Sequence, residues 1–420
     1  MENELSARSE KFPTLELPGE NRFRVLFFLL TSVFAAEGFD FFSYPLLAIT
    51  GIAALYCFYQ EGFFSRLNRL PFYVRATLLL FVLTAVSPGF PLKDLPVADK
   101  MLAAYLSGFA AAFFIARQLH YAMLALPVSI VVSWLICGLS GFSEGFFLGE
   151  RLVLFSGNPN KLSFITSFAI IISVVFRQHL HGYWRHLNRV ALALCILTII
   201  LSSSRASILG LVACLAFWVI TILRKRLGRI VLLVMIAFIG GFWCLPYCEV
   251  ERMKMTTDPI HDTAFQKRLF IWSVAVKGIT ESPLLGNSMR GFRNYYAKHI
   301  KDNEAELVGK PFFEEDILDV SHPHNVFLGV LFGYGALGST LILVIFLPAL
   351  KNAYDRRDYL FFSALLFNLV SGLFEFYLHR VSGALFIFLP LGIIHGSEYY
   401  KLNQPDPNAQ PGIEIVEKGL

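Results

Sequence analysis

The stretch VALALCILTIILSSSRASILGLVACLAFWVITIL, from Val190 to Leu223, decides the fold class, because its 34 residues include a single charged one, Arg205. As one continuous helix it would be about 50 Å long at 1.5 Å per residue, whereas the hydrocarbon of a bilayer is about 30 Å thick. The serine-rich segment SSSRAS at 202–207 therefore predicts a tight turn between two membrane-spanning helices. Basic residues flank the stretch on both sides, at Arg189 and Arg224, as expected for helix ends at one membrane surface.

The composition places the whole chain among integral membrane proteins. Hydrophobic residues make up 55% of its 420 residues and charged residues only 16%, whereas a soluble domain carries about 25% charged residues. The apolar runs are far too long for barrel strands, so their backbone must be satisfied within helices. We predict an all-α integral membrane protein with about twelve transmembrane helices. The predicted spans lie near 23–37, 41–59, 72–88, 99–118, 121–142, 158–177, 190–203, 206–223, 229–246, 324–350, 358–375 and 381–396.

The distribution of Lys and Arg predicts the orientation of these helices. With the N-terminus on the cytoplasmic side, the short inner loops hold fourteen basic residues and the short outer loops hold six. The net charge of +5 therefore reflects topology, and no nucleic-acid partner is predicted. The predicted order is a cytoplasmic tail over 1–22, nine helices over 23–246, an outer loop over 247–323, three helices over 324–396 and a cytoplasmic tail over 397–420. The outer residues that break the asymmetry are Lys93, Lys100, Arg151, Lys161, Arg205 and Arg380.

The outer loop contains two predicted helices. The segment DTAFQKRLFIWSVAVKGITES (262–282) reads as an amphipathic helix with Asp262 as its N-cap and Pro283 ending it. A second short helix is predicted over 291–300. The apolar stripe of the first helix is expected to consist of Phe265, Leu269, Trp272, Val276 and Ile279. Seven basic residues and one acid occur between 267 and 301, so this half of the loop suits an anionic substrate.

Two arginines are candidates for binding that substrate. An Arg at membrane depth, such as Arg205, costs about 2.5–3.5 kcal/mol on insertion scales, so it usually has a partner or faces a polar cavity. It either extends to a lipid phosphate or holds the phosphate of a ligand, because its planar guanidinium fits two oxygens at once. Arg268 is either a solvated surface charge or a second ligand of the same anion. Further candidates for substrate binding are Arg290, Arg293, Lys161 and Asn325.

The segment VSHPHNVFLGVLFGYGALG (320–338) places two histidines against the start of a long apolar run. His322 and His324 either anchor the interface or act in catalysis. The positive end of a helix favours an anion and disfavours imidazolium, so His324 would be a neutral proton acceptor there. Two histidines without a third ligand are a weak zinc signal, and we predict no metal and no cofactor. The glycines that follow predict close packing between helices, and they are Gly329, Gly333, Gly335 and Gly338.

Taken together, these motifs resemble the O-antigen ligases, within the polymerase–ligase superfamily of bacterial envelope glycosyltransferases. The segments that carry the resemblance are GNPNKLS at 157–163, SSSRAS at 202–207, KRLFIWSVAVKGITESPLLGNS at 267–288 and HPHNVFLGVLFGYGALG at 322–338. The large outer loop late in the chain also fits, and the motif-level likeness covers about 150–340.

The resemblance implies a metal-independent glycosyltransferase of GT-C architecture in the bacterial inner membrane, with its active site on the periplasmic side. Such an enzyme moves a glycan from undecaprenyl diphosphate to the lipid A–core oligosaccharide, so its partners are these two glycolipids and the surrounding membrane lipids. It also implies that Arg205 and Arg268 hold the diphosphate and that His324 is the catalytic base. His322 is a second catalytic candidate, in a region where family members vary.

Three other functions stay open at this point. An O-antigen polymerase would use the same donor with a second lipid-linked glycan as acceptor, and a protein O-oligosaccharyltransferase would use a protein. A transporter of lipid-linked glycans would more often show repeated halves or helices broken at mid-membrane. The candidate residues here gather at one membrane face, which favours an enzyme.

Overall fold

The computed structural model describes residues 20–39, 43–60, 72–85, 95–114, 119–141, 146–148, 151–221, 263–308, 310, 313, 320–356, 358–375 and 381–402. The described helices are α1 Glu20–Phe39, α2 Ser43–Gln60, α3 Phe72–Ala85, α4 Leu95–Phe114, α5 Leu119–Met123, α6 Ala125–Leu139, α7 Pro159–Val175, α8 Gly182–Ser202, α9 Arg205–Thr221, α10 Thr263–Glu281, α11 Gly291–Asp302, α12 Glu304–Leu307, α13 Val326–Arg356, α14 Tyr359–Ser371 and α15 Val381–Leu402. A 3₁₀ turn, Phe176–His179, and a two-stranded hairpin, β1 Phe147–Leu148 with β2 Arg151–Leu152, complete these elements.

The fold is mostly helical, as predicted. Helices occur at eleven of the twelve predicted spans, and the remaining one, 229–246, lies outside the described residues. Among the described helices, four are long and apolar enough to cross a membrane, so the chain is a multi-pass membrane protein. They are Leu119–Leu139, Pro159–His179, Gly182–Ser202 and Val326–Asp355. The count of twelve spans and the GT-C architecture stay predictions.

The predicted turn in the serine-rich hairpin is confirmed. Helix α8 ends at Ser202, Ser203 adopts a left-handed conformation with φ of 51°, and α9 begins at Arg205. The amide of Ser203 bonds back to the carbonyls of Ile199 and Ile200, which closes the last turn of α8. The start of α8 was predicted wrongly, because the helix begins at Gly182 rather than 190. The first turns of the helix contain Arg185, His186 and Arg189, all exposed, and hydropathy alone does not register a helix outside the apolar region.

Helix α7 lies at the centre of the bundle. Every side chain from Leu162 to Ser173 is buried, and the helix packs against α6, α8, α9 and α14. Asn158 caps it, since its Oδ1 accepts from the amides of Asn160 and Lys161, and Pro159 occupies the first helical position. The predicted turn before this span is therefore confirmed, and it fixes where the first turn of α7 lies.

Helix α13 is interrupted at Gly335, whose φ of 60° and ψ of −163° are not helical. The backbone of Pro283–Ser288 enters this break and replaces the missing intrahelical hydrogen bonds. Two amides of α13 donate to the segment, at 2.8 and 3.1 Å, and two amides of the segment donate to α13, at 2.6 and 3.1 Å. We call this arrangement the backbone clasp, and its donor–acceptor pairs are Ala336 to Pro283, Leu337 to Leu284, Asn287 to Phe332 and Ser288 to Gly333.

The role predicted for the glycines of α13 was therefore incomplete. Gly333 and Gly335 do permit a close approach, but of the turn segment Pro283–Ser288 rather than of another helix. A Cβ on Gly335 would lie 2.4 Å from the carbonyl of Leu284, and one on Gly286 would lie 2.6 Å from the carbonyl of Gly333.

Helices α10 and α11 are confirmed close to the predicted limits, but the predicted apolar stripe of α10 was wrong. Leu269 and Val276 are 47% and 48% exposed. The buried face instead carries Ile271, Val274 and Ala275, which pack in a small core with Phe292 and Phe332 among others. Gly278 lies on this buried face, and its lack of a side chain lets the rings of Phe332 and Tyr295 approach the helix. The predicted N-cap, Asp262, lies outside the described residues.

Candidate functional site

A buried carboxylate, Glu375, joins two of the predicted site residues. Its Oε1 lies 3.5 Å from Nη2 of Arg268 and its Oε2 lies 3.5 Å from Nδ1 of His324. The Glu375 side chain is 7% exposed, whereas those of Arg268 and His324 are 29% and 34% exposed. The guanidinium and the imidazole are thus partly accessible to solvent, whereas the carboxylate between them is buried. The structure brings Arg268 and His324 to the same carboxylate, which belongs to a residue that was not predicted.

The turn after α14 holds Glu375 in this place. The amide of Val326 donates to the carbonyl of Gly372 at 2.7 Å, and the side-chain amide of Asn325 donates to the carbonyl of Leu373 at 3.0 Å. These two bonds tie the start of α13 to the turn that carries Glu375. Asn325 also caps α13, because its Oδ1 accepts from the amide of Leu328 at 3.0 Å. Asn325, a candidate for substrate binding, therefore orients the site through backbone contacts.

His324 adopts an unusual backbone conformation just before α13. Its φ is 51°, in the left-handed region that few non-glycine residues occupy. Its amide donates to Nδ1 of His322 at 3.3 Å, and the two ring centroids are 4.3 Å apart. His322 therefore supports the local turn, and His324 is the histidine that faces Glu375. The 3.5 Å separation of Nδ1 and Oε2 is an ion-pair distance, too long for a hydrogen bond between these atoms.

Two further polar residues extend the site toward the serine-rich turn. The side-chain amide of Asn160 donates to Oε1 of Glu375 at 2.9 Å, and its Oδ1 accepts from Nη2 of Arg151 at 2.9 Å. Arg151 also donates to the carbonyl of Ser202, from Nε at 3.0 Å and from Nη2 at 2.8 Å. An unbroken series of contacts thus runs from the end of α8 to Glu375.

The remaining predicted residues lie around this centre. Arg205 is partly buried at the start of α9, three positions after the carbonyl that Arg151 holds. Lys161 follows Asn160 in the first turn of α7. Arg290 and Arg293 are exposed at and after the start of α11.

Arg290 lies in the electrostatic range of a second polar cluster. Tyr44 and Lys100 both interact electrostatically with Arg290. In this cluster the hydroxyl of Tyr44 donates to Asp99, and the ammonium of Lys100 lies 5.2 Å from the centre of the Tyr44 ring. This places Arg290 beside α2 and α4.

Sequence reasoning missed Glu375, Asn160 and Arg151, although each gave a signal. Glu375 is an acidic residue at the end of a predicted span, where an ionisable side chain is expensive and usually functional. Arg151 is one of the outer basic residues that break the charge asymmetry, and Asn160 lies inside the GNPNKLS motif. What the sequence lacked was any sign that these three residues meet.

The arrangement has the chemistry of a general base beside an anion site. A carboxylate beside an imidazole stabilises the imidazolium that forms when the ring accepts a proton. A partly accessible guanidinium next to it can bind two phosphate oxygens at once. Within the described part of the chain, no group of three or more His, Cys, Asp or Glu side chains lies close enough to hold a metal ion.

Residues 190–343 match the family model described as O-antigen ligase. The matched region begins in α8, ends within α13, and contains Arg205, Arg268, His322 and His324. The match confirms the resemblance drawn from the sequence motifs. No curated protein matches the chain at a significant level.

Proposed function

We propose, from the O-antigen ligase match over 190–343, that the protein transfers a glycan from undecaprenyl diphosphate to the lipid A–core oligosaccharide at the periplasmic face of the inner membrane. The family supports a transferase of the ligase–polymerase superfamily in general. The observation that carries the finer proposal is the meeting of Arg268 and His324 at Glu375.

The first requirement of this reaction is to hold the donor diphosphate. Arg268 is partly accessible and its guanidinium suits two phosphate oxygens at once. Arg205, at the outer end of the serine-rich hairpin, supplies the second positive charge. Cations fixed where the leaving group gains charge act strongly in a site shielded from water, and removing one such group typically costs about 10²–10³ in rate.

The second requirement is to activate the acceptor hydroxyl. The oxygen of this hydroxyl attacks the anomeric carbon, the bond between that carbon and the diphosphate oxygen breaks, and the electron pair leaves with the diphosphate. His324 accepts the hydroxyl proton, which contributes about 10²–10⁴ in rate. Direct displacement inverts the anomeric centre.

Glu375 supplies a charge partner for His324 when the ring accepts the proton. When the ring is protonated, its Nδ1 lies 3.5 Å from the buried carboxylate, so the charge formed in the reaction has a partner already in place. The contact between Asn160 and Glu375 keeps that carboxylate oriented.

The test is transfer by the purified full-length protein in proteoliposomes. Undecaprenyl-diphosphate-linked glycan and core lipid are supplied without ATP and with a metal chelator, and the products are separated and analysed by mass spectrometry. We expect glycan joined to core lipid. Elongation of glycan on undecaprenyl diphosphate would identify a polymerase instead, and movement of the donor across the membrane without a new glycosidic bond would exclude a transferase.

A further inference from the structure

We propose that Arg151 and Asn160 are positioning residues that fix the turn carrying Arg205 relative to Glu375. The assignment of Arg205 to the diphosphate rests on the proposed function. The connection between Arg151, Asn160 and Glu375 rests on the contacts alone.

Arg151 binds the last turn of α8 at a site where a cation is favoured. The final carbonyls of a helix have no intrahelical partner and carry a partial negative charge. Arg151 donates twice to one of them, that of Ser202. The left-handed Ser203 and then Arg205 follow directly, so the geometry of this carbonyl determines how α9 begins.

Arg151 itself is held by a buried segment. It forms the short hairpin with Phe147–Leu148, and the three residues after it, Leu152–Leu154, are at most 4% exposed. Its guanidinium therefore projects from a fixed backbone.

Asn160 is the connection between Arg151 and the carboxylate. Its amide accepts from Arg151 with the oxygen and donates to Glu375 with the nitrogen, both at 2.9 Å. A side-chain amide can accept with its oxygen and donate with its nitrogen, with a fixed plane between the two atoms. An aspartate at this position would present a carboxylate to Glu375, and two adjacent carboxylates repel each other.

The consequence is a fixed spacing between the two arginines. Glu375 contacts Arg268 and His324, and through Asn160 and Arg151 it is connected to the turn of Arg205. A diphosphate held between Arg205 and Arg268 needs both guanidinium groups at a defined separation, and small displacements of such groups are costly. Arg151 and Asn160 supply that separation without touching the substrate.

The experiment is a double-mutant cycle on donor affinity. The Kd of full-length protein for a fluorescent undecaprenyl diphosphate glycan is measured for the wild type, Arg151→Lys, Arg205→Ala and the double variant. Lys keeps the charge of Arg151 but lacks the planar fork that reaches Ser202 and Asn160 together. We expect Arg151→Lys to weaken binding by about tenfold in the wild-type background and by less than about twofold in the Arg205→Ala background.

The controls separate positioning from general damage. Arg185→Lys changes an exposed arginine on α8, the helix whose last turn Arg151 contacts, and should leave the Kd unchanged. Asn160→Asp should weaken donor binding as Arg151→Lys does, with the same dependence on Arg205. Equal effects of Arg151→Lys with and without Arg205 would overturn the inference while leaving the glycosyltransferase proposal intact. A wild-type protein that does not bind the donor would instead overturn the proposed function.

Discussion

Asn160 and Glu375 are 215 positions apart in the chain, yet the side-chain amide of one donates to the carboxylate of the other at 2.9 Å. The bond joins the first turn of the most buried helix, α7, to the turn after α14. Because Glu375 also contacts Arg268 and His324, a residue of α10, the residue pair before α13 and the centre of the bundle meet at one carboxylate. The site is therefore assembled where the ends of several helices come together.

Removing the charge of Glu375 should separate binding from catalysis. Glu375→Gln keeps the size and one acceptor oxygen but no longer stabilises the imidazolium of His324. We expect the rate of glycan transfer to fall by about 10²-fold or more, because charge partners of a catalytic histidine have effects of this order. Donor Kd should stay the same or decrease, since a negative charge beside the diphosphate is lost. Both are measured with purified protein, and the exposed Glu306→Gln is the matched control. Weaker donor binding with an unchanged transfer rate would contradict the assigned role.

The two histidines should differ in effect. His324→Ala removes the proposed base, and transfer should fall by about 10²–10⁴-fold with little change in donor Kd. His322→Ala removes the acceptor of the His324 amide and the neighbouring ring but not the proposed base, so its effect should be smaller by about tenfold or more. Single-turnover rates of the two variants provide the comparison. If His322→Ala proved the more damaging, the role of base would pass to the other ring.

Arg268 should act mainly on the donor. Arg268→Ala should weaken the binding of undecaprenyl diphosphate glycan by about tenfold or more, because a charge-assisted hydrogen bond contributes about 1.5–3 kcal/mol. Lys277→Ala, on the exposed part of the same helix, is the matched control and should bind normally. A binding assay with undecaprenyl phosphate as competitor tests whether the second phosphate is the one recognised. Normal donor affinity in Arg268→Ala would remove this residue from the diphosphate site.

The backbone clasp should be sensitive to one methyl group. Gly335→Ala forces a side chain into a conformation that only glycine readily adopts and brings its Cβ to 2.4 Å from the Leu284 carbonyl. We expect the free energy of unfolding to fall by about 1–3 kcal/mol, seen as a lower midpoint of thermal unfolding in detergent. Gly138→Ala is the control, because nothing lies within 4 Å of its added Cβ. Equal midpoints for the two variants would show that the clasp does not contribute to stability.

Local features of this fold could be predicted from the sequence. The hairpin turn before Arg205 follows from comparing one apolar run with the thickness of a bilayer, and the start of α7 follows from Asn158 and Pro159. Each depends on residues close together in the chain. Arg268 and His324 could be singled out from their motifs, but no local pattern shows that both contact Glu375.

The rest depends on tertiary packing that no local pattern encodes. Glu375 lies in the turn after an apolar helix, and the bonds of Asn325 and Val326 to that turn bring it beside His324. The stripe of α10 was misplaced because residues on two adjacent faces are apolar, and the position of Gly278 decides which face is buried. The break at Gly335 was missed because the glycines there are equally consistent with an unbroken helix.

The clasp makes the length of the segment Pro283–Ser288 matter more than its side chains. Leu284 and Leu285 are 69% and 50% exposed, so their side chains tolerate change, but their backbone completes the hydrogen bonding of α13. A single inserted residue here would shift the pairing and leave polar backbone groups unsatisfied in apolar surroundings, at several kcal/mol each. Epitope tags and labelling loops therefore belong elsewhere in the chain, although the exposure of Leu284 and Leu285 suggests a permissive place for them.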